Sequence, residues 1–260
     1  MANLPAMEWS DRGLVLAKGI FREYDVWLRV LFREHGVLTV LAFGGLHSRR
    51  RFVGCLDLLN LLECRVKVKG NYHYLTEALL LKGPGTLRSI PSRQGLAMNL
   101  VKLVDGLSVP QDLAGETLRL LEEGLELLSR EYVSQTLPLF FRLRLMAILG
   151  YAPDFLHCCL CRKDLVGKSF FCVEEGGPMC EDCRSRFGGA RRTGAFLEPS
   201  TLKLMQFVRG ENPLSWPQWM GDTFSPFPNP EQRRAASQCI DGILAYHVGL
   251  AWEKGRFVRT

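Results

Sequence analysis

Two Cys-x-x-Cys pairs constrain this chain more than any other feature. Cys158 and Cys161 form the first, Cys180 and Cys183 the second, with eighteen residues between Cys161 and Cys180. A Cys-x-x-Cys turn points two sulfurs to one side of a tight knuckle, and two facing knuckles make the tetrahedron that zinc prefers. Gly167 and the Gly176-Gly177-Pro178 run supply the turns. Arg162 and Lys163 place positive charge beside the first knuckle, where it favours thiolate. Cys159, Cys172 and His157 are surplus candidates. Spacing favours Cys158, Cys161, Cys180 and Cys183, because Cys159 leaves one residue before Cys161 and Cys172 sits in an apolar run read as a buried strand. Four thiolates close the coordination shell, so the expected metal is one structural Zn2+ with no open catalytic position. Pro178-Met179-Cys180-Glu181-Asp182-Cys183 only loosely echoes zinc deaminases, and none of the histidines (His35, His47, His73, His157, His247) is followed two residues later by Glu.

Nine cysteines, with no leader-like start, point to a reducing, cytoplasmic setting and to metal rather than disulfides. No uncharged apolar run reaches the length of a membrane span. The net charge is +6, and residues 1–82 carry 12 Lys and Arg against 8 Asp and Glu. Residues 156–194 carry 7 against 5, so the basic excess sits in the first third and around the cysteines, which suits a polyanionic partner.

Residues 12–82 read as strands. Arg12–Lys18 is a short apolar run; Val26, Leu28, Val30 and Phe32 alternate with Trp27, Arg29, Leu31 and Arg33; Val37–Phe43 continues after a turn. Leu62, Cys64, Val66 and Val68 alternate with Glu63, Arg65, Lys67 and Lys69, and Gly70-Asn71 turns the chain into Tyr72–Leu81. Phe52–Leu59 reads as a short helix between the third and fourth strands. Five strands with a helix there follow the plan of an OB-fold barrel. From Gly83-Pro84-Gly85 the spacing becomes helical: stripes over 96–107 and 113–128, the apolar Pro138–Leu149, Pro199–Val208 and Glu231–Trp252. The Pro-rich 210–230 stretch reads as a loop. The expected fold class is α+β and multidomain: an OB-fold barrel over 1–82, a helical domain over 83–155 and 195–260, and a zinc module inserted at 156–194.

Candidate binding residues cluster on the barrel. Arg49, Arg50 and Arg51 lie in a glycine-containing rim loop, and Arg29, Arg33, Lys67 and Lys69 lie outward on strands. Trp27, Tyr72 and Tyr74 are candidate stacking platforms. A cationic groove with aromatic faces holds single strands without reading sequence; a solvated strand face is the plainer reading. His35 and His47 read as bland, His247 on the apolar face of the last helix as a hydrogen-bonded core histidine rather than a ligand, and Trp216, Trp219 and Phe224 as packing residues rather than a peptide pocket. No phosphate loop, nucleophile elbow or acidic metal cluster appears, so no enzyme is expected.

Several segments in order resemble the RecO family of bacterial recombination mediators. They are Arg12-Gly13-Leu14-Val15-Leu16, Leu31-Phe32-Arg33-Glu34-His35-Gly36, the basic loop ending Arg51-Phe52, Leu75-Thr76-Glu77-Ala78, Leu145–Pro153, the two Cys pairs, and Tyr246-His247-Val248-Gly249 before Arg256-Phe257. The resemblance implies binding of single- and double-stranded DNA and annealing of complementary strands in DNA repair. It also implies work with RecR, in some members RecF, and with single-strand-binding protein, so that RecA loads in the nucleoid. Two other classes fit the residues alone: a zinc-ribbon nucleic-acid regulator and an adaptor that does not bind DNA.

Overall fold

Alternation of apolar and polar residues sets the first part of the molecule. The computed structural model describes residues 7–130, 133–187, 192–216, 227, 229–253 and 256–259. These form two compact units, 1–121 and 122–260. The first opens with strands β1 (Met7–Ile20), β2 (Val26–Phe32), β3 (Gly36–Ala42), β4 (Leu61–Lys69) and β5 (Tyr72–Lys82). They close into a barrel in the order β1-β2-β3-β5-β4. All neighbours are antiparallel except β3 and β5, which pair in parallel through Val40↔His73 and Leu41↔Tyr74. Inward positions supply the core: Val15, Leu28, Val30, Phe32, Val40, Leu62, Cys64, Val66 and Leu75 are all buried. Closure leaves no long open edge, and the register shifts between Arg65 and Val66 and between Val15 and Ala17 bend the strands to allow it.

Two expectations for this unit need correction. β1 is twice as long as its apolar run, because residues 7–14 pair with β4 and 13–20 with β2. Exposed Glu8 and Ser10 hid its first half. The helix expected over Phe52–Leu59 does not form; turns and bends run there instead. Gly54 (φ 69) and Leu59 (φ 67) are left-handed, which no right-handed helix accommodates. The Asn60 side chain donates to the carbonyls of Gly54 and Cys55, both at 2.9 Å, and fixes that shape. Phe52 and Cys55 plug into the barrel core.

Helices α1 (Pro91–Gly106) and α2 (Ala114–Ser129) follow, α2 running through the division between the units. In the second unit α3 (Leu137–Ile148) is buried at Leu139, Phe140, Phe141, Leu143, Leu145 and Met146, as its all-round apolar sequence demands. α5 (Pro199–Gly210) and α6 (Pro230–His247) pack on it. Arg144 on α3 donates to the Arg209 carbonyl at 2.8 Å, satisfying the open end of α5. Trp216 is fully buried and meets Phe140 edge-on at 5.6 Å, as packing predicted. Trp219 and Phe224 lie outside the described residues.

Between α3 and α5 stands a small sheet, β7 (Gly177–Met179), β6 (Ser169–Cys172) and β8 (Gly194–Leu197), with α4 (Glu181–Phe187). The last helix was expected to reach Trp252. It stops at His247, where Gly249 (φ 67) turns the chain, and β9 (Leu250–Glu253) and β10 (Arg256–Arg259) form a hairpin.

Candidate nucleic-acid interface and cysteine cluster

Strand register places the barrel's outward side chains in rows. One row reads Gly19, Trp27, Leu41, Tyr74, Lys67, Glu8 around the wall, each opposite the next. The next along β4 pairs Lys69 with Tyr72, and the one before pairs Arg65 with Glu77. Lys67 and Lys69 are exposed. Arg65 reaches Glu77 at 3.0 Å on the same face.

The rim loop comes down beside this face. Its Arg51 carbonyl accepts from the Ala78 N–H of β5 at 3.0 Å, and its guanidinium donates back to the Phe43 carbonyl at 2.8 Å. Arg50, Arg51, Arg65, Glu63, Glu77 and Leu79 line a cleft of about 330 Å³ between loop and strands. Arg49 is exposed beside them. Thus Arg50 and Arg51 share the cleft with Arg65, Lys67 and Lys69 continue the outward row of β4 beyond Arg65, and Arg49 is next to Arg50 in the exposed loop.

Arg29 and Arg33 stand elsewhere. The Arg29 guanidinium is ion-paired with Asp105 of α1. Arg33 follows β2, its carbonyl oxygen 3.4 Å from where a Cβ on Gly115 would sit. The Trp27 ring lies over Gly19, which has no room for a side chain there. Phe21 and Phe43 were missed as site candidates because Phe43 reads as the end of the strand Val37–Phe43 and Phe21 falls between two expected strands. The structure joins them to Tyr74 in a chain of rings. His35 was read as bland. Instead its ring stacks on Trp9 at 3.8 Å and bonds the buried Asp11 at 2.8 Å. His247 bonds the Val173 carbonyl at 2.6 Å, though on an exposed part of α6.

In the second unit the sulfurs of Cys158, Cys161, Cys180 and Cys183 all lie within 4.8 Å of one another, an arrangement that can hold a metal ion. Cys161 and Cys180 sulfurs are 3.7 Å apart, close to the ~3.8 Å edge of a tetrahedron with 2.3 Å metal–sulfur bonds. Knuckle geometry explains the convergence. The Arg162 N–H donates to the Cys158 carbonyl at 3.0 Å, and Arg162 takes a left-handed φ of 63° to close that turn.

Burial raises the Cys158 thiol, but the N–H groups of Cys161, Cys180 and Leu160 donate to its sulfur and outweigh burial, bringing it down to about 6. Arg162 and Lys163, expected to favour thiolate, have exposed side chains. Desolvation and the crowding sulfurs push Cys183 the other way, to about 12. Four such thiols ionise together only around a cation. The surplus candidates are engaged elsewhere. His157 bonds Asp154 at 2.5 Å and Asp164 at 3.2 Å through its two nitrogens, and Cys172 donates to Glu174 at 3.2 Å. Burial pushes Cys159 up to about 12, away from thiolate.

Among the described residues no helix is long and apolar enough to cross a membrane. Comparison with known proteins gives consistent matches along the chain. The family model described as Recombination protein O N terminal matches residues 7–84, and that described as Recombination protein O C terminal matches residues 88–256. A DNA repair protein RecO of Solidesulfovibrio magneticus is 38% identical over 258 residues, covering 98% of this chain and all of the relative. One of Nitratidesulfovibrio vulgaris is 39% identical over 261 residues, covering 97% of this chain and all of the relative. One of Lawsonia intracellularis is 33% identical over 257 residues, covering 98% and 100%. Matched from the first barrel strand to the terminal hairpin, the chain belongs to the RecO family of DNA repair and recombination proteins.

Proposed function

We propose that this chain is a non-enzymatic recombination mediator. It binds single- and double-stranded DNA through its barrel and anneals complementary strands. With RecR, and in some settings RecF, it opens DNA coated by single-strand-binding protein to RecA. The observation that supports it is that exposed Arg50 and Arg51 line a cleft with Arg65 of β4 on a closed five-stranded barrel, and that the exposed outward row of β4 runs on from Arg65 to Lys67 and Lys69. The order β1-β2-β3-β5-β4 with a parallel β3–β5 seam supports assigning this barrel to the OB-fold. Annealing needs two polyanions neutralised by contacts that ignore sequence, and flexible surface cations supply them. Arg29 and Arg33 fall outside the proposed interface, and Arg29 is already ion-paired with Asp105.

The cysteine cluster is proposed to hold one Zn2+ through Cys158, Cys161, Cys180 and Cys183. Zinc would supply charge neutralisation and a covalent-strength staple, while the residues themselves set two knuckles facing each other. A regulator that reads one sequence, or an adaptor that binds no DNA, would lack the annealing activity. The test is fluorescence annealing of complementary strands coated by single-strand-binding protein. Charge reversal at Arg49, Arg50, Arg51, Lys67 and Lys69 together is expected to abolish annealing while leaving the melting temperature in place. Unchanged annealing at moderate salt would overturn the assignment.

A further inference from the structure

Exposed aromatic rings on the outside of a barrel are a cost unless something covers them. Here four of them touch in sequence. Phe21, in the turn after β1, meets Phe43 with ring centroids 6.1 Å apart. Phe43, just past β3, stacks on Tyr74 of β5 at 5.5 Å and 23°. Tyr74 continues to Tyr72 at 6.4 Å. Phe21 is 37%, Phe43 40% and Tyr72 62% exposed, so the rings form an open ledge rather than a buried cluster.

We infer that this ledge takes the unstacked bases of a single DNA strand, so that the rings add to single-strand binding and not to duplex binding. The inference rests on the reading that the barrel binds DNA, and deepens it. Cation placement supports it. Lys67 and Lys69 lie directly opposite Tyr74 and Tyr72 on the adjacent strand β4. Neighbouring strands are about 4.8 Å apart, so ring faces and ammonium groups run side by side, as the bases and phosphates of one strand do. The other side of the ledge is also cationic: the Arg22 guanidinium lies 5.9 Å from the Phe21 ring centroid, and Arg51 is tied to the Phe43 carbonyl. Base–aromatic stacking tolerates any sequence because every base has a π-face. A duplex turns those faces inward, so it meets only the cations.

The two contributions separate in one experiment on the full metal-loaded chain. Phe43→Leu with Tyr72→Leu keeps apolar bulk against Phe21 and Tyr74 but removes the flat faces; an unchanged melting temperature certifies the fold. The probes are a single-stranded oligonucleotide carrying 2-aminopurine and a duplex of the same length. Single-strand affinity is expected to fall about tenfold or more, with loss of the 2-aminopurine quenching seen with the unaltered chain. Duplex affinity and the salt dependence of both are expected to hold. Unchanged single-strand affinity, or equal losses for strand and duplex, would overturn the ledge while leaving DNA binding by the barrel intact. Failure of the unaltered chain to bind either probe would overturn both readings.

Discussion

Single residues decide the chemistry of the cysteine cluster, and there the sequence was most legible. Cys-x-x-Cys spacing is local geometry, so the four converging sulfurs could be picked from nine cysteines before any fold was known. What spacing could not show was how thiolate is favoured. That work falls to backbone N–H groups of Cys161, Cys180 and Leu160, which aim at the Cys158 sulfur only once the knuckles have closed. Cys180→Ser is expected to lose the bound zinc and lower the melting temperature; metal analysis with differential scanning fluorimetry checks both. A different cysteine gives a pH prediction. Burial, followed by the charge of Glu63, raises the Cys64 thiol from 9.0 to about 12. A folded-state value above the unfolded one means the stabilisation is complete below the unfolded pKa. It declines as pH rises above about 9 and is gone past the folded value. Cys64→Ala should therefore be destabilised near neutral pH by a cavity in the barrel, and its deficit relative to the unaltered chain should shrink as denaturation is repeated at higher pH. A constant deficit would contradict the assignment.

Elements were legible where periodicity was long and uninterrupted. β4 alternates cleanly and was placed within a residue, and α3, apolar on every side, was expected over Pro138–Leu149 and runs Leu137–Ile148. Errors fell where a local backbone state overrode the pattern. Phe52–Leu59 holds enough apolar residues for a helical turn, yet Gly54 and Leu59 adopt left-handed φ and Asn60 bonds the loop carbonyls. Leu250-Ala251-Trp252 continued the apolar rhythm of α6, but Gly249 had already reversed the chain. The other end of α6 is held by Asn229, whose side chain accepts from the Gln232 N–H at 2.8 Å. Removing that acceptor leaves an orphan donor in the first turn. Asn229→Ala should cost about 1 kcal/mol in chemical denaturation. Asn229→Asp should cost little, since its carboxylate accepts the same bond and sits favourably at a helix N-terminus. Equal losses for the two substitutions would place the effect elsewhere.

The molecule is built as two units, each with its own core. The barrel core, from Val15 through Leu75, closes within residues 1–121, whereas the cysteine cluster packs with Met179, Leu165 and Phe170 in the second unit. Family membership was legible in the sequence because it resides in the order of many weak segments. The shared aromatic and cationic face was not, since Phe43 and Tyr72 are far apart in sequence and only the β3–β5 seam brings their strands together. This separation has a measurable consequence. Phosphate contacts release counterions, so each lysine or arginine on DNA steepens the fall of affinity with salt, by about 0.7 per contact in a log–log plot for a single strand. Lys67→Gln with Lys69→Gln should flatten that slope by about 1.4, with melting unaffected. Stripping the metal with a chelator should do the reverse, lowering a thermal transition that belongs to residues 122–260 while the salt slope stays as it was. If chelation flattens the slope as much as the lysine substitutions do, the cysteine module is itself a phosphate-binding surface, and the division of labour between barrel and cluster fails.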